Sequence, residues 1–237
     1  MVRCIHHNMH RTVPDRLIGD VVGAKQVDLV RSVAVMFLLV SGASCAGKST
    51  ARRHAMKHLG AEFEAVELSD LGPVPNPPTV AWRQQQVEVA VRRAIELERE
   101  GRHLLFAGDP VPAGEVLAAP SAGHIDVAAC LLDVDAETQS ARLDARGDPP
   151  EYRHLHHGFA DWMRHHAVDP SYVPEAVTTD AWPQMRWDRW VGRVPGPEWA
   201  MTVLDTSALS EAEVGEQVVT WCQDAVGGQA PVFRAGW

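Results

Sequence analysis

Cysteine is scarce in this chain of 237 residues, and the four present are scattered. Cys4, Cys45, Cys130 and Cys222 lie far apart in the sequence, and no C-x-x-C occurs. That excludes a disulfide framework and fits a reduced, cytoplasmic setting. Long apolar runs are missing too, since none reaches the roughly 18 residues a membrane helix needs. There is no basic excess: the net charge is −9. General binding to nucleic acid or to a membrane surface uses a basic face, so neither is expected. Lysine is nearly absent, with Lys25, Lys48 and Lys57 as the three lysines among 22 basic residues. No internal repeat is visible. Apolar content is ordinary at 46%, enough for one domain with a sizeable core and some additions.

One of the rare lysines falls in Gly42-Ala43-Ser44-Cys45-Ala46-Gly47-Lys48-Ser49-Thr50. The stretch reads G-x-x-x-x-G-K-S, the phosphate-loop or Walker A pattern. Eight apolar residues, Val33 to Val40, precede it as an expected buried strand, and Lys48 to Leu59 follow as an expected helix. Glycines at both ends let the backbone turn sharply and approach an anion. Loop N–H groups and the helix N-terminus then face the phosphates. Lys48 is placed to reach the β- and γ-phosphates of ATP, and the Ser49 hydroxyl to take one position on Mg²⁺. Cys45 lies where backbone meets phosphate, so oxidation or alkylation there is expected to lower ATP affinity.

The rest of the chain alternates strands and helices. Strands are expected at Phe63–Leu68, His103–Ala107, Ile125–Leu132 and Trp199–Leu204. Helices are expected from Thr79, as N-cap, to Glu100, from Asp135 to Arg146, from Tyr152 to Ala167, and from Ser210 to Val226. Gly60 is the expected C-cap of the first helix. Four prolines between Pro73 and Pro78 mark a stiff loop. This order predicts an α/β fold, a three-layer, doubly wound, parallel five-stranded sheet. Residues 1–32 read as an N-terminal extension, 33–226 as the domain, 147–197 as a helical lid or substrate insertion within it, and 227–237 as a tail. His6, His7 and His10 sit in the extension, and Asp15 to Val30 reads there as a short helix or hairpin.

Ligands of such sheets bind beyond the carboxyl ends of the strands. Asp70, Asp109 and Asp133 fall there. Asp70, with Glu67 as the weaker alternative, is a candidate base for a substrate hydroxyl or a water-mediated Mg²⁺ contact. Asp109 and Asp133 compete for the carboxylate that orients Mg²⁺, with Asp109 preferred and also near the substrate. Arg142 and Arg146 share a helix face one turn apart and are candidates to stabilise charge on a moving phosphoryl group. Arg83, in the first turns of its helix, is a candidate for a substrate pocket. Five histidines between His154 and His166 suggest a metal helix, but they do not converge and lack an acidic third ligand, so a lid surface is the reading preferred.

These residues together resemble the phosphate-loop kinases of small molecules, the nucleoside- and nucleotide-kinase-like group that includes shikimate and gluconate kinases and chloramphenicol phosphotransferase. The resemblance rests on Gly42 to Thr50, Asp70, the helix carrying Arg142-Leu143-x-x-Arg146, and Leu204-Asp205-Thr206-Ser207. It spans about residues 33–226, and only the phosphate loop is specific. It implies a phosphate-loop fold and ATP- and Mg²⁺-dependent transfer to a hydroxyl of a nucleoside, a sugar-like metabolite or an antibiotic. It also implies that Leu204 to Ser207 borders the nucleotide base. The chain departs from the group where Gly108-Asp109-Pro110 replaces a triple glycine, and where the Pro149–Pro197 segment exceeds a usual lid. A nucleotide-binding regulatory ATPase acting through a protein partner is the alternative. Against it, no Asn-Lys-x-Asp guanine motif is present, while the Trp-rich segment offers a possible partner surface.

Overall fold

A computed structural model describes residues 35–236. The extension over 1–32, its histidines and its expected helix or hairpin lie outside the described residues. The first strand, β1, is Met36–Ser41, and all six residues are buried. Buried on both faces, it has to lie in the interior of a sheet, as continuous apolar runs do in parallel α/β proteins. It pairs in parallel with β3 (His103–Ala107) on one side and β4 (Asp126–Asp133) on the other. β2 (Phe63–Val66) and β5 (Thr202–Asp205) form the edges, giving the order β2-β3-β1-β4-β5. All four pairings are parallel. The expected five-stranded α/β sheet is therefore present.

Alternation along β1 decides which helices cover which face. Met36, Leu38 and Val40 point to one side, toward the core with Ala51 and Ala55 of α1 (Lys48–His58) and Val214, Val218 and Trp221 of the C-terminal helix Glu211–Val226. Phe37 and Leu39 point to the other side, where the long helix Val80–Glu98 contributes Val87, Ala90, Val91 and Ala94. A buried Leu or Phe of this kind contributes roughly 1.5–3 kcal/mol.

Capping sets several boundaries. A short helix α2 (Leu68–Leu71) follows β2 directly, with Glu67 and Asp70 forming a capping box. The expected strand over 63–68 thus stops at Val66, because the Glu67 side chain accepts from the first turn of a helix instead. α3 is Val80–Glu98, and Thr79 caps it by accepting from the Trp82 N–H at 3.1 Å. α4 (Ala113–Ala118), not foreseen in the Pro- and Ala-rich connection, is entirely buried. α5 is Ala136–Arg146, capped by Asp135 on the Thr138 N–H at 2.7 Å. α6 is Arg153–His166, α7 is Glu175–Thr178, and α8 is the helix over Glu211–Val226 with Ser210 and Glu213 as a capping box. The C-cap of α1 is Leu59 in an extended conformation, not Gly60. β5 begins at Thr202 rather than Trp199, whose indole is instead packed in the core.

The segment after Pro149 differs most from expectation. Trp162, Met163, Val177, Met185, Trp190 and Trp199 are all buried in the core on the α3 side of the sheet. A weakly periodic sequence gains its order here from tertiary packing, not from helix or strand patterning. Residues near the C-terminus also return to the body: Phe233 is buried and exchanges backbone hydrogen bonds with Val127 at 2.8 and 2.9 Å. Among the described residues, no helix is long and apolar enough to cross a membrane.

Candidate functional site

The loop from Gly42 to Gly47 leaves β1 and enters α1. Gly42 has φ 144°, and a Cβ there would stand 2.5 Å from the Leu132 carbonyl oxygen. Only glycine lets the loop lie that close to β4. Gly47, at φ 101°, starts α1, whose first turn carries no acidic residue. The positive end of the helix is therefore left uncompensated, as an anion site requires. Cys45 is a non-glycine residue at φ 64°. A side chain in that left-handed region costs about 1–2 kcal/mol, so its surroundings must hold it there.

Four successive carbonyls of the loop accept hydrogen bonds from side chains. Lys48 Nζ donates to the Ala43 carbonyl at 2.6 Å, and Gln139 Nε2 to the Ser44 carbonyl at 2.9 Å. Arg142 Nη1 donates to the Cys45 carbonyl at 3.2 Å. The single Thr206 hydroxyl proton lies between the Ala46 carbonyl at 3.2 Å and the Asp133 carbonyl at 2.8 Å. Arg142 is anchored in turn by the Thr206 carbonyl at 2.9 Å.

Beside the loop opens a cleft of about 530 Å³, lined by Lys48, Ser49 and Thr50, by Gly108, Asp109 and Pro110, by Arg142 and Arg146, and by Leu209, Glu211 and Val214. Lys48 is buried, and burial lowers its ammonium to about 8, against the neighbouring Asp109 carboxylate, which raises it. It is a largely protonated cation at neutral pH that a phosphate would stabilise. Asp109 stands at the end of β3 and accepts from the Leu68 N–H at 2.8 Å. Arg146 lines the cleft and is paired with Asp148 through both of its carboxylate oxygens. Cys45 is half-buried, and burial pushes its thiol up, opposed most by Arg146.

The other predicted residues lie elsewhere. Asp70 does not line the cleft: its carboxylate accepts from Arg52 at 2.9 Å and from the Glu67 N–H at 2.9 Å. Arg52 also pairs with Glu67 at 3.1 Å. Arg83 does not line the cleft either. It forms a two-point ion pair with Glu115 of α4, at 2.9 and 2.6 Å, and Glu115 is fully buried. Buried Gln84 joins that network and ties it to Val177 and Trp182. Asp133 is engaged by Arg164, whose Nε donates to both carboxylate oxygens at 2.8 and 2.9 Å. Among the described residues, no three His, Cys, Asp or Glu stand together as a metal-ligand group. His166 instead packs among Trp162, Trp190 and Trp199.

Sequence reasoning passed over Gln139 and gave Thr206 no role of its own. A fully buried glutamine on an otherwise amphipathic helix is a signal only once burial is known, because a glutamine at that spacing reads as surface. The resemblance had marked Thr206 only as part of a segment bordering the nucleotide.

No family model and no curated protein matches the chain. Among solved structures, a tunicamycin resistance protein from Deinococcus radiodurans aligns with a TM-score of 0.50 and 12% identity, over 80% of this chain and 95% of that one. A sugar kinase from Janibacter sp. aligns with a TM-score of 0.49 and 15% identity, over 81% of this chain and 97% of that one. Identities this low speak to the fold alone. The strand order, the loop after β1 and the likeness to the tunicamycin resistance protein place the chain in the phosphate-loop α/β fold.

Proposed function

We propose that this chain is an ATP- and Mg²⁺-dependent phosphotransferase that moves the γ-phosphate to a hydroxyl of a small molecule. One observation carries the reading: a single cleft brings the loop and buried Lys48 together with Asp109 and Arg146. The donor set fits a magnesium–triphosphate complex. The loop and the start of α1 offer N–H groups and a positive helix end, Lys48 offers a cation, and Ser49 and Asp109 offer hard oxygen ligands. Bound Mg²⁺ would neutralise charge on the β- and γ-phosphates.

In this reading the loop from Gly42 to Thr50 holds the phosphates, and Lys48 and Arg146 stabilise charge on the transferred group. Arg146 is then released from Asp148 by the more highly charged triphosphate. Asp109 orients Mg²⁺, since Asp133 is engaged by Arg164. Asp70 and Glu67, sharing Arg52, border the acceptor side, with Asp70 as the proposed base. Arg83 shapes that side from behind, through Glu115. Leu209, Glu211 and Val214 border the nucleotide. The thiols are free at Cys45, Cys130 and Cys222, in keeping with a cytoplasmic enzyme. A nucleotide-binding regulatory ATPase acting through a protein partner is the second reading; Trp162, Trp190 and Trp199 are buried in the core, whereas Trp182 and Trp187 are partly exposed.

The test is transfer from γ-labelled ATP to a panel of nucleosides, sugars and antibiotics. Acceptor-dependent labelling that disappears in Lys48→Ala is the expected result. Hydrolysis that responds only to an added protein partner would overturn the reading.

A further inference from the structure

Cys45 occupies a backbone conformation that its own chemistry disfavours. Its φ of 64° lies in the left-handed region, where L-residues with a side chain are uncommon. The φ and ψ of a residue are the rotations that set its two flanking peptide planes against each other. Each plane is rigid, because the peptide bond is planar and trans. Fixing the carbonyl of Ser44 fixes the plane before Cys45, and fixing the carbonyl of Cys45 fixes the plane after it.

Both carbonyls are held from one helix. Gln139 Nε2 donates to the Ser44 oxygen at 2.9 Å, and Arg142 Nη1 to the Cys45 oxygen at 3.2 Å. The two residues are three apart on α5, so they project from one face. Gln139 is fully buried, and its Oε1 has no hydrogen-bond partner. A buried amide with one unpaired end carries a desolvation cost, which is hard to account for if the side chain only fills space. Arg142 is held in place from behind, with Nη2 on the Thr206 carbonyl at 2.9 Å.

We propose that Gln139 and Arg142 are positioning residues that clamp the two peptide planes around Cys45 in the left-handed state, and so preform the phosphate-binding nest. The inference rests on the proposed function, since it assigns a role within the same loop. It changes the part given to Arg142, which acts through the loop backbone while Arg146 faces the transferred phosphate. A loop turned through a left-handed residue directs neighbouring N–H groups into one concavity, as anion nests do. Carbonyls held toward α5 leave the opposite, N–H edges of the same planes facing away from it. Without the clamp, Cys45 relaxes toward negative φ and the concavity opens.

Binding of inorganic tripolyphosphate to the full chain, measured by calorimetry, tests the clamp without needing an acceptor. The wild-type chain is expected to bind. Gln139→Met keeps the volume but cannot donate, and its dissociation constant is expected to rise about tenfold. Glycine adopts positive φ freely, so Cys45→Gly added to Gln139→Met is expected to recover most of the loss. A purely structural role for Gln139 would not be rescued from Cys45. Cys45→Val leaves α5 untouched and puts a β-branched residue at φ 64°, so it is expected to weaken binding on its own. This keeps the test decisive if Gln139→Met does not fold. Wild-type affinity in Gln139→Met or in Cys45→Val would overturn the clamp, and so would failure of Cys45→Gly to rescue. A wild-type chain that does not bind tripolyphosphate would overturn the phosphate site itself, and the clamp with it.

Discussion

Arg164 joins α6 to the end of β4: its Nε reaches both oxygens of Asp133 at 2.8 and 2.9 Å, and its Nη2 reaches the Val134 carbonyl at 2.9 Å. Trp162 and Met163 are buried beside it, so α6 packs against the body of the domain. The pair is partly exposed, so its electrostatic part is discounted for solvent screening. Arg164→Ala is expected to lower stability by about 1 kcal/mol, mostly through the unpaired Asp133 and Val134 acceptors. Hydrogen exchange should quicken along α6 while tripolyphosphate affinity is retained. Unchanged exchange in α6 would show that the pair does not fasten the helix.

Lys48 carries opposite signs for stability and binding. Burial lowers it to about 8, so between about pH 8 and 10.4 the unfolded chain holds a proton that the folded chain lacks. Its penalty is present below pH 8 and is relieved as pH rises through that window. Lys48→Met is therefore expected to raise the melting temperature at pH 7, by about 2–4 °C for each kcal/mol recovered, while phosphate binding is lost. Triphosphate affinity of the wild-type chain should weaken as pH climbs past about 8. A lower melting temperature in Lys48→Met would contradict the buried-cation account.

The two carboxylates compared for Mg²⁺ separate by mutation. Asp109→Asn is expected to slow Mg²⁺-dependent transfer about 100-fold. Asp133→Asn should leave transfer near normal and loosen α6, because its carboxylate serves Arg164. Equal loss in both would remove the distinction. Asp70→Asn is expected to lower transfer with ATP binding intact, and full activity there would dismiss Asp70 as the base.

His166 predicts acid sensitivity. Burial among Trp162, Trp190 and Trp199 lowers it to about 3. Between about pH 6.5 and 3 the unfolded chain binds the extra proton, so the folded state loses stability as pH falls through that window. His166→Phe should flatten that part of the pH–stability curve, monitored by tryptophan fluorescence. The same acid slope in the variant would assign the sensitivity to carboxylates elsewhere.

Residues near in sequence were readable as a unit, and those brought together from afar were not. Gly42, Gly47, Lys48 and Ser49 are consecutive parts of one turn, so their spacing alone specified the loop. The apolar runs of β1, β3 and β4 and the caps at Thr79 and Ser210 likewise depend on neighbouring residues. Arg83 and Asp70 are also plain in sequence, yet their partners, Glu115 and Arg52, lie 32 and 18 residues away. Those partners take both side chains out of the cleft wall.

By itself the sequence determined the strand–loop–helix unit and the five-stranded plan, because strand, turn and cap preferences act over a few residues. Tertiary structure alone decided that Asp109 lies in the cleft while Asp133 is held by Arg164. It also packed Trp162, Trp190 and Trp199 into the core. The same folding set Gln139 against a carbonyl 95 residues away. Each of these outcomes depends on which strand ends and helices the parallel sheet makes neighbours, and periodicity carries no record of that.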